Sequence, residues 1–248
     1  MEYADWAPFY EKLRRELGFA MDREEASAAR LRELLPLAAL EHPLERVTSR
    51  LRGKEVVVVG LAPRAGPPPL WRRPFTGAGI GTVAADGAAA TCLEAGIVPD
   101  VVVSDLDGPV ASEVNANRRG SLVVVHAHGD NREALEEWVP QFPGELAGSW
   151  AGPPGNGLLD VGGFTDGDRS AFLAETAGAA RILLWGFDFD HVEEPTPELA
   201  ARKRSKLAWA RRALSELSSG SRTPLLVWRR DGTLVPYSDA GRDAPSTR

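Results

Sequence analysis

From residue 54 onward, short runs that are apolar at every position alternate with segments of helical periodicity. Uninterrupted apolar runs are typical of strands buried on both faces of a parallel sheet. Strands that alternate with helices predict an α/β fold built on a doubly wound, mostly parallel sheet. The predicted strands cover residues 56–59, 82–85, 101–103, 122–125 and 182–185, and the predicted helices cover residues 88–95, 109–117, 130–139, 169–177 and 198–217.

The beginning of the chain carries helical patterns without strand patterns. Apolar residues at helical spacing stop before Gly18, which predicts a first helix. Asp22 and Glu25, three residues apart, predict the capped start of a second helix, and a third is expected over residues 44–51. In the last long helix, we expect one apolar side formed by Leu199, Leu207, Ala210, Leu214 and Leu217.

These patterns predict three parts of the chain. Residues 1–53 are expected to form a helical segment packed on the main domain, and residues 54–236 the α/β domain itself. A loop rich in proline and glycine covers residues 62–79. Residues 237–248 are polar and are predicted to be a loose tail.

Composition narrows the class of protein. The 248 residues carry 35 acidic and 29 basic side chains, a net charge of −6, whereas nucleic-acid-binding surfaces are basic. The one cysteine, Cys92, excludes an internal disulfide and a cysteine-based zinc site. Residues 1–6 lack the features of a signal peptide, and the apolar run over 56–61 is too short to span a bilayer. We therefore expect a cytoplasmic protein without nucleic-acid or membrane partners.

Polar and acidic side chains follow each predicted strand. Ligands of open α/β sheets bind beyond the carboxyl ends of the strands, so these side chains predict a ligand site at one edge of the sheet. The segments that follow the five strands begin at Gly60, Asp86, Ser104, His126 and Gly186.

Asp105 and Asp107 are the sharpest signal at this edge. In extended chain, residues two apart project to the same side, and carboxylates together with substrate phosphates are the ligands that Mg²⁺ prefers. Asp86 and Asp130 follow neighbouring strands and are candidates to join them. The alternative is an Asp-rich turn closing on Gly108.

Two other cofactors remain as weaker alternatives. His126 and His128 have the spacing of a zinc pair, but the chain offers too few further ligands, and a polar network or a substrate contact fits them better. The segment 60–65 resembles a degraded dinucleotide fingerprint with Asp86 as the ribose-binding acid. Nicotinamide chemistry would leave Asp105 and Asp107 unexplained.

Cationic and helix-terminal groups complete the candidate site. Gly162 and Gly163 precede a helix whose free N–H groups can bind an anion, although Thr165 or Asp166 also fits a plain N-cap. Arg169 in the first turn opposes the helix dipole, which indicates an anion or carboxylate nearby. Lys203 and Lys206, one turn apart, are candidates for phosphate contacts or for a solvated helix face.

Together these segments resemble the archaeal 6-hydroxymethyl-7,8-dihydropterin pyrophosphokinases, over roughly residues 6–217. Part of the pattern is also similar to thiamin pyrophosphokinase. The segments that carry the resemblance are Ala85-Asp86-Gly87-Ala88, Gly96-Ile97-Val98-Pro99-Asp100, Ser104-Asp105-Leu106-Asp107-Gly108, His126-Ala127-His128-Gly129-Asp130-Asn131 and Gly162-Gly163-Phe164-Thr165-Asp166-Gly167-Asp168-Arg169.

The resemblance implies a Rossmann-like fold and transfer of pyrophosphate from ATP, with Mg²⁺, to a pterin alcohol, releasing AMP, in pterin biosynthesis of the tetrahydromethanopterin or folate type. Asp105, Asp107 and Asp130 are then the metal ligands, and His128 or Asp130 accepts the proton of the alcohol. His126, His128 and Asn131 are expected to contact the pterin. Nucleotide binding is expected from Gly60, Pro63, Asp86, Gly87, Thr165, Asp166, Asp168, Arg169, Lys203 and Lys206.

Three alternative functions stay open at this point. Thiamin pyrophosphokinase activity would apply the same chemistry to another acceptor. A nucleotide-sugar transferase would use an Asp-x-Asp motif with Mg²⁺, and a nucleotide-binding regulatory module would not turn over. The sequence also leaves a homodimer open.

Overall fold

The computed structural model describes residues 3–62, 79–229 and 233–239. Helices and strands alternate through most of the chain after an all-helical beginning. The helices are α1 (Tyr3–Leu17), α2 (Met21–Leu34), α3 (Leu37–Leu40), α4 (Pro43–Leu51), α5 (Ala88–Glu94), α6 (Val110–Arg118), α7 (Arg132–Trp138), α8 (Asp166–Thr176) and α9 (Pro197–Gly220). The strands are β1 (Glu55–Val59), β2 (Ile80–Ala85), β3 (Val101–Ser104), β4 (Leu122–Ala127), β5 (Leu146–Trp150), β6 (Leu158–Leu159), β7 (Arg181–Trp185), β8 (Leu225–Trp228) and β9 (Leu234–Pro236).

In the described residues the strands form one nine-stranded sheet in the order β6-β5-β4-β3-β2-β1-β7-β8-β9. Every pairing is parallel except that of β8 with β9. The chain builds outward from β1 on one side through β2 and then returns to β7 on its other side. The predicted doubly wound, mostly parallel α/β fold is confirmed, and the strand order reverses between β1 and β7.

Two apolar cores cover the two faces of the sheet. Alternate residues of β1 enter different cores: Val56 and Val58 pack with α1, α4, α8 and α9, whereas Val57 and Val59 pack with α2, α3, α5, α6 and α7. This double burial is the physical reason for the uninterrupted runs of valine. The helices before β1 divide between the faces, so they belong to both cores.

Four strands were missed by the sequence patterns: β5, β6, β8 and β9. In β5, Gly148 and Ser149 interrupt the apolar run that would mark a buried strand. A Cβ at Gly148 would lie 2.7 Å from Leu35 Cδ1 and 2.5 Å from Leu158 Cδ2. The glycine allows close packing of leucine side chains from the end of α2 and from β6 on β5, which the local sequence does not reveal.

Three smaller expectations are corrected. The N-cap of α2 is Ala20, without a side-chain cap, and Asp22 lies in the first turn. Leu199 is 45% exposed rather than part of the apolar side of α9. Tyr237, placed in the loose tail by the sequence, is buried, and its hydroxyl donates to the carbonyl oxygen of Arg211 at 3.1 Å.

Most of the loop predicted over residues 62–79 and of the tail after residue 239 lies outside the described residues, and so does Pro63. None of the helices in the described part of the chain combines the length and hydropathy needed to cross a bilayer.

Candidate active site

Two cavities open at the edge where β1, β2, β3, β4 and β7 end. The larger cavity, about 440 Å³, lies between the ends of β3 and β4, the α1–α2 connection and the start of α8. The smaller cavity, about 310 Å³, lies beyond β1 and β7, where the strand order reverses. Thr165, Asp166 and Lys206 line both cavities. The two cavities are therefore neighbours, and both have the size of small-ligand sites.

An acidic cluster lies at this edge. Ligand oxygens of Asp86, Asp105 and Asp107 all lie within 4.8 Å of one another. Asp86 belongs to the wall of the smaller cavity, and Asp105 and Asp107 belong to the wall of the larger one. The acidic cluster thus spans the boundary between the two cavities.

The acidic cluster is built by turns rather than by extended chain. β3 ends at Ser104, and Leu106 has a left-handed φ of 66° while Asp86 has a φ of 48°. The prediction that Asp105 and Asp107 share a side of an extended segment is therefore wrong in its geometry, although the two carboxylates do meet. The backbone N–H of Asp107 donates to Asp105 Oδ1 at 3.3 Å.

Charge crowding changes the ionisation of the acids at this edge. Burial, with the charges of Asp105 and Asp86, raises the pKa of Asp107 to about 6. Burial and the same two carboxylates raise the pKa of Asp166 well above its usual range. Since these shifts arise partly from like charges, a cation bound between the carboxylates would relieve them.

Glu113 lies beneath the acidic cluster on α6 and is fully buried. Within the described residues no donor reaches either of its carboxyl oxygens. Burial, followed by interaction with Asp86, raises the pKa of Glu113 to about 9. Glu113 is therefore neutral at pH 7 and adds no charge beneath Asp86.

His128 lies between two carboxylates. Its Nε2 is 3.1 Å from Asp105 Oδ2, and its Nδ1 is 2.5 Å from Asp130 Oδ1. Although burial disfavours the charged imidazolium, the hydrogen bond and charge of Asp105 raise the pKa of His128. Asp130, a predicted metal ligand, is 68% exposed on the far side of this histidine and is not part of the acidic cluster.

Asn131 and His126, both predicted to contact the substrate, are placed differently relative to the cavities. The Asn131 amide donates to the carbonyl oxygens of Asp105 and His126, both at 2.8 Å, and accepts from the N–H of His128. It is buried and lines neither cavity, so it positions the loops rather than contacting a ligand. His126 does line the larger cavity, with Nδ1 3.1 Å from Ser149 Oγ. Burial, and then the charges of Arg169 and His128, lower the pKa of His126 well below its usual range.

At the N-terminus of α8, the residues that were predicted to bind an anion have different positions. Thr165 is the N-cap, and its side chain forms a capping box with Asp168. Asp168, predicted to bind the nucleotide, is buried, lines neither cavity and caps the helix. Asp166 is the first residue of the helix and lines both cavities.

Arg169 is buried in the wall of the larger cavity and does not line the smaller one. Its guanidinium donates to the backbone oxygens of Phe164 at 3.0 Å and Gly162 at 3.5 Å. Nε has no hydrogen-bond partner among the described residues. Arg169, predicted to bind the nucleotide, thus lies in the wall of the larger cavity.

The smaller cavity has glycine, aromatic and cationic walls. A Cβ at Gly60 would lie 2.7 Å from the carbonyl oxygen of Gly186, so this close approach of β1 to β7 requires glycine. Lys203 and Lys206 line the cavity, and Lys203 pairs with Glu194 at 2.7 Å. Gly87, also expected to bind nucleotide, is the N-cap of α5 and lines neither cavity.

Comparisons with known proteins show the family of this chain. Residues 80–194 match the family model described as 6-hydroxymethylpterin diphosphokinase MptE-like. The 6-hydroxymethyl-7,8-dihydropterin pyrophosphokinase of Pyrococcus furiosus is 36% identical over 91% of this chain and 98% of its own length. The protein of the same name from Methanothermobacter thermautotrophicus is 34% identical over 92% of this chain and 100% of its own. The chain belongs to the 6-hydroxymethyl-7,8-dihydropterin pyrophosphokinase family.

Solved structures add more distant likenesses to this pyrophosphokinase family member. Thiamine pyrophosphokinase from Bacillus subtilis is 14% identical with a TM-score of 0.38, covering 71% of this chain and 61% of that one. The sialyltransferase CstII from Campylobacter jejuni is 13% identical with a TM-score of 0.42, covering 70% and 80%. At these values the likenesses say nothing about substrate.

Sequence reasoning missed one wall of the larger cavity of this pyrophosphokinase family member. Tyr10, Phe19, Arg23 and Glu24 line it from α1, α2 and the turn between them. One signal was present: Glu24 shares the buried face of α2 with Ser27, Ala28 and Leu31. An acid at a core position of an amphipathic helix is uncommon, because burying a carboxylate costs free energy unless it has a partner.

Proposed function

We propose that this protein transfers the pyrophosphoryl group of ATP to the hydroxymethyl group of 6-hydroxymethyl-7,8-dihydropterin, giving the pterin diphosphate and AMP. The observation that carries the proposal is the acidic cluster at the boundary of two neighbouring cavities. Transfer of a charged pyrophosphoryl group between two substrates requires two adjacent binding sites with a metal-binding cluster between them. The curated relatives, which share at least nine-tenths of the chain at 34–36% identity, are named for this reaction.

The smaller cavity is assigned to ATP. It lies where the strand order reverses, which is where nucleotides bind in open α/β sheets. The N-terminus of α8 and the ammonium group of Lys206 lie in its wall and can meet the phosphates, as can Lys203 if it leaves its ion pair with Glu194. Because Lys206 also lines the larger cavity, its ammonium group can contact the pyrophosphoryl group both before and after transfer.

Asp86, Asp105 and Asp107 are assigned to Mg²⁺. Their oxygens lie within 4.8 Å of one another without sulfur or nitrogen donors. This is the donor set that Mg²⁺ prefers, and Mg²⁺ bound there supplies charge neutralisation for the phosphates. Asp86 replaces Asp130 in the ligand set derived from the sequence, because His128 separates Asp130 from the acidic cluster.

The larger cavity is assigned to the pterin. In the reaction the hydroxyl oxygen of the pterin bonds to the β-phosphorus of ATP. The bond from that phosphorus to the oxygen bridging to the α-phosphorus breaks, and AMP leaves. Both ring nitrogens of His128 face carboxylates, so Asp130 fits the role of proton acceptor better than His128 does.

The test is AMP release from Mg-ATP, followed by chromatography. The purified protein is offered 6-hydroxymethyl-7,8-dihydropterin, thiamin, or no acceptor, with Mg²⁺ or with a chelator. We expect AMP and pterin diphosphate in equal amounts, and only in the sample that contains both the pterin and Mg²⁺. Faster release with thiamin would replace the acceptor in the proposal, and binding of ATP without release under any condition would indicate a non-catalytic module. Release of a nucleoside monophosphate from a nucleotide sugar would indicate a sugar transferase.

A further inference from the structure

Glu24 is a buried acid that the proposed reaction leaves without a role. It lies on the core face of α2, is 4% exposed, and forms part of the wall of the larger cavity. Its Oε2 is buried and has no hydrogen-bond partner among the described residues. A buried acceptor without a donor is costly in free energy, so a ligand that donates to it would satisfy it.

Opposing influences act on the ionisation of Glu24, and burial is the largest of them. Burial raises the pKa of Glu24, whereas the charges of His128 and Arg169 and a backbone hydrogen bond from Gly129 lower it. The Gly129 backbone, His128 and Arg169 therefore compensate part of the cost of its burial, although no carboxylate–arginine pair is formed there in the described residues. The Glu24 carboxylate thus lacks only hydrogen-bond donors to its Oε2.

Arg169 supplies the opposite polarity in the same wall. Its Nε is a buried donor without a partner among the described residues, and its charge is close enough to affect Glu24. The wall of one cavity therefore includes a residue with an unsatisfied buried acceptor and a residue with an unsatisfied buried donor. A flat heterocycle whose edge carries N–H groups next to a carbonyl oxygen would satisfy both.

We propose that Glu24 binds the ring N–H and exocyclic amino group of the acceptor heterocycle, while Arg169 donates to the adjacent carbonyl oxygen. This inference rests on the proposed function and names the residues that select its acceptor. Phe19 and Phe164, whose ring centroids are 6.1 Å apart, line the same cavity and offer apolar contact to a flat ring. Glu24 and Arg169 are then specificity residues, because they contact the acceptor ring. Neither belongs to the acidic cluster at which the transfer occurs.

The inference is tested with a pair of acceptors that differ only at the recognised edge. The first is 6-hydroxymethyl-7,8-dihydropterin, and the second is its 2-oxo counterpart, in which a carbonyl oxygen replaces the amino group. A carboxylate accepts from two donors, whereas the amide in Glu24→Gln accepts one hydrogen bond and donates one, which matches the 2-oxo compound. The measured quantity is the ratio of kcat/KM for the two acceptors, with AMP release as the readout.

We expect the native protein to prefer the pterin by roughly 10- to 100-fold or more, since one buried polar group would otherwise be left unpaired. Glu24→Gln is expected to remove or invert this preference while leaving the KM for ATP within about twofold. The matched control is Glu25→Gln, the exposed neighbour on α2, which should keep the native preference. A ratio measured within one protein does not depend on the folded fraction of the sample.

Retention of the native preference by Glu24→Gln overturns the inference but leaves the proposed function intact. If the native protein turns over neither acceptor, the proposed function itself is overturned. If Glu24→Gln does not fold, the native protein decides: methylation of the ring nitrogen beside the amino group should raise the KM of the acceptor at least tenfold. An unchanged KM for that methylated acceptor also overturns the inference.

Discussion

At the carboxyl edge of this sheet, strained backbone conformations of single residues position the acidic cluster. Asp86 and Leu106 adopt left-handed φ values of 48° and 66°, a conformation that costs a non-glycine residue roughly 1–2 kcal/mol. A Cβ at Gly108 would collide with the Asp86 carboxylate, so a larger residue there would displace that side chain from the acidic cluster. The local strain is the means by which carboxylates from two loops are brought into one cluster.

The first prediction concerns the acidic cluster as a metal site. Asp86→Asn, Asp105→Asn and Asp107→Asn are each expected to lower turnover at least ~100-fold, because a few kcal/mol of charge stabilisation in the transition state is lost. Asp22→Asn, an exposed acid in the first turn of α2, is the control. Steady-state kinetics across a Mg²⁺ titration measure the effect, and near-native turnover of all three variants would contradict the metal assignment.

The second prediction concerns the ionisation of Asp107 in the metal-free protein. Its pKa is raised to about 6 from an ordinary 3.8, so between these values the native state binds more protons than the unfolded state. Stability therefore falls as the pH rises through about 4 to 6 and stays lower above it. Asp107→Asn removes the repulsion and is expected to raise Tm at pH 8 slightly, on the order of 1–2 °C, because solvent screens this exposed carboxylate.

Thermal unfolding at pH 4 and pH 8, each with and without Mg²⁺, measures this effect. The gain from Asp107→Asn should vanish at pH 4, where Asp107 is protonated in the native state. Mg²⁺ should stabilise the native protein at pH 8 and should not stabilise the variant to the same extent. A variant less stable than the native protein at pH 8 without metal would show that Asp107 is not in a repulsive environment.

At the scale of elements, the connection into α8 decides the shape of the site. Gly162 and Gly163 have φ values of 83° and 86°, and they lead into the Thr165–Asp168 capping box. Arg169 holds the same connection through the carbonyl oxygens of Gly162 and Phe164. This segment directs Asp166 to both cavities, so its backbone conformation matters as much as its side chains.

The third prediction uses two glycines with the same backbone strain. Gly163 and Gly178 have φ values of 86° and 79°, but a Cβ at Gly163 would lie 2.7 Å from the backbone nitrogen of Arg169, whereas at Gly178 the nearest atom is 3.6 Å away. Gly178→Ala is expected to cost only the left-handed conformation, about 1–2 kcal/mol. Gly163→Ala should cost clearly more in urea denaturation, and equal costs would contradict the close approach described.

At the scale of the whole molecule, the N-terminal helices are part of both cores and of the larger cavity. Trp6 and Leu13 of α1 lie in the core shared with α8 and α9, while Leu31 of α2 lies in the core on the other face of the sheet. The chain therefore crosses the edge of the sheet between α1 and α2. That crossing is what places Phe19 and Glu24 beside the end of β4.

The fourth prediction tests this integration with two leucines before β1. Leu13→Ala, at a fully buried position, should lower the free energy of unfolding by about 2–5 kcal/mol. Leu37→Ala, at a position 80% exposed, should change it by no more than about 0.5 kcal/mol. Urea denaturation followed by circular dichroism compares them, and a small cost at Leu13 would favour a separable helical segment.

The sequence alone determined the fold class and the core of the acidic cluster. Buried parallel strands must be apolar on both faces, so the valine runs revealed them, and polar residues directly after strands can only lie at one edge of a parallel sheet. β5 escaped prediction because Gly148 interrupts its apolar run and packs against leucines distant in the chain. Asp105 and Asp107 were found for the same reason that the valine runs were, since both signals are local.

Only the tertiary structure decided which candidate faces which cavity. Asn131, Asp168 and Gly87 follow the right motifs, yet hydrogen bonding and packing turn them to positioning or capping roles. Glu24 carries no motif at all and reaches the site because α1 and α2 pack on opposite faces of the sheet. Motifs record the residue types that the chemistry needs, whereas burial, charge pairing and the paths of distant elements determine which of those residues are left free to meet a ligand.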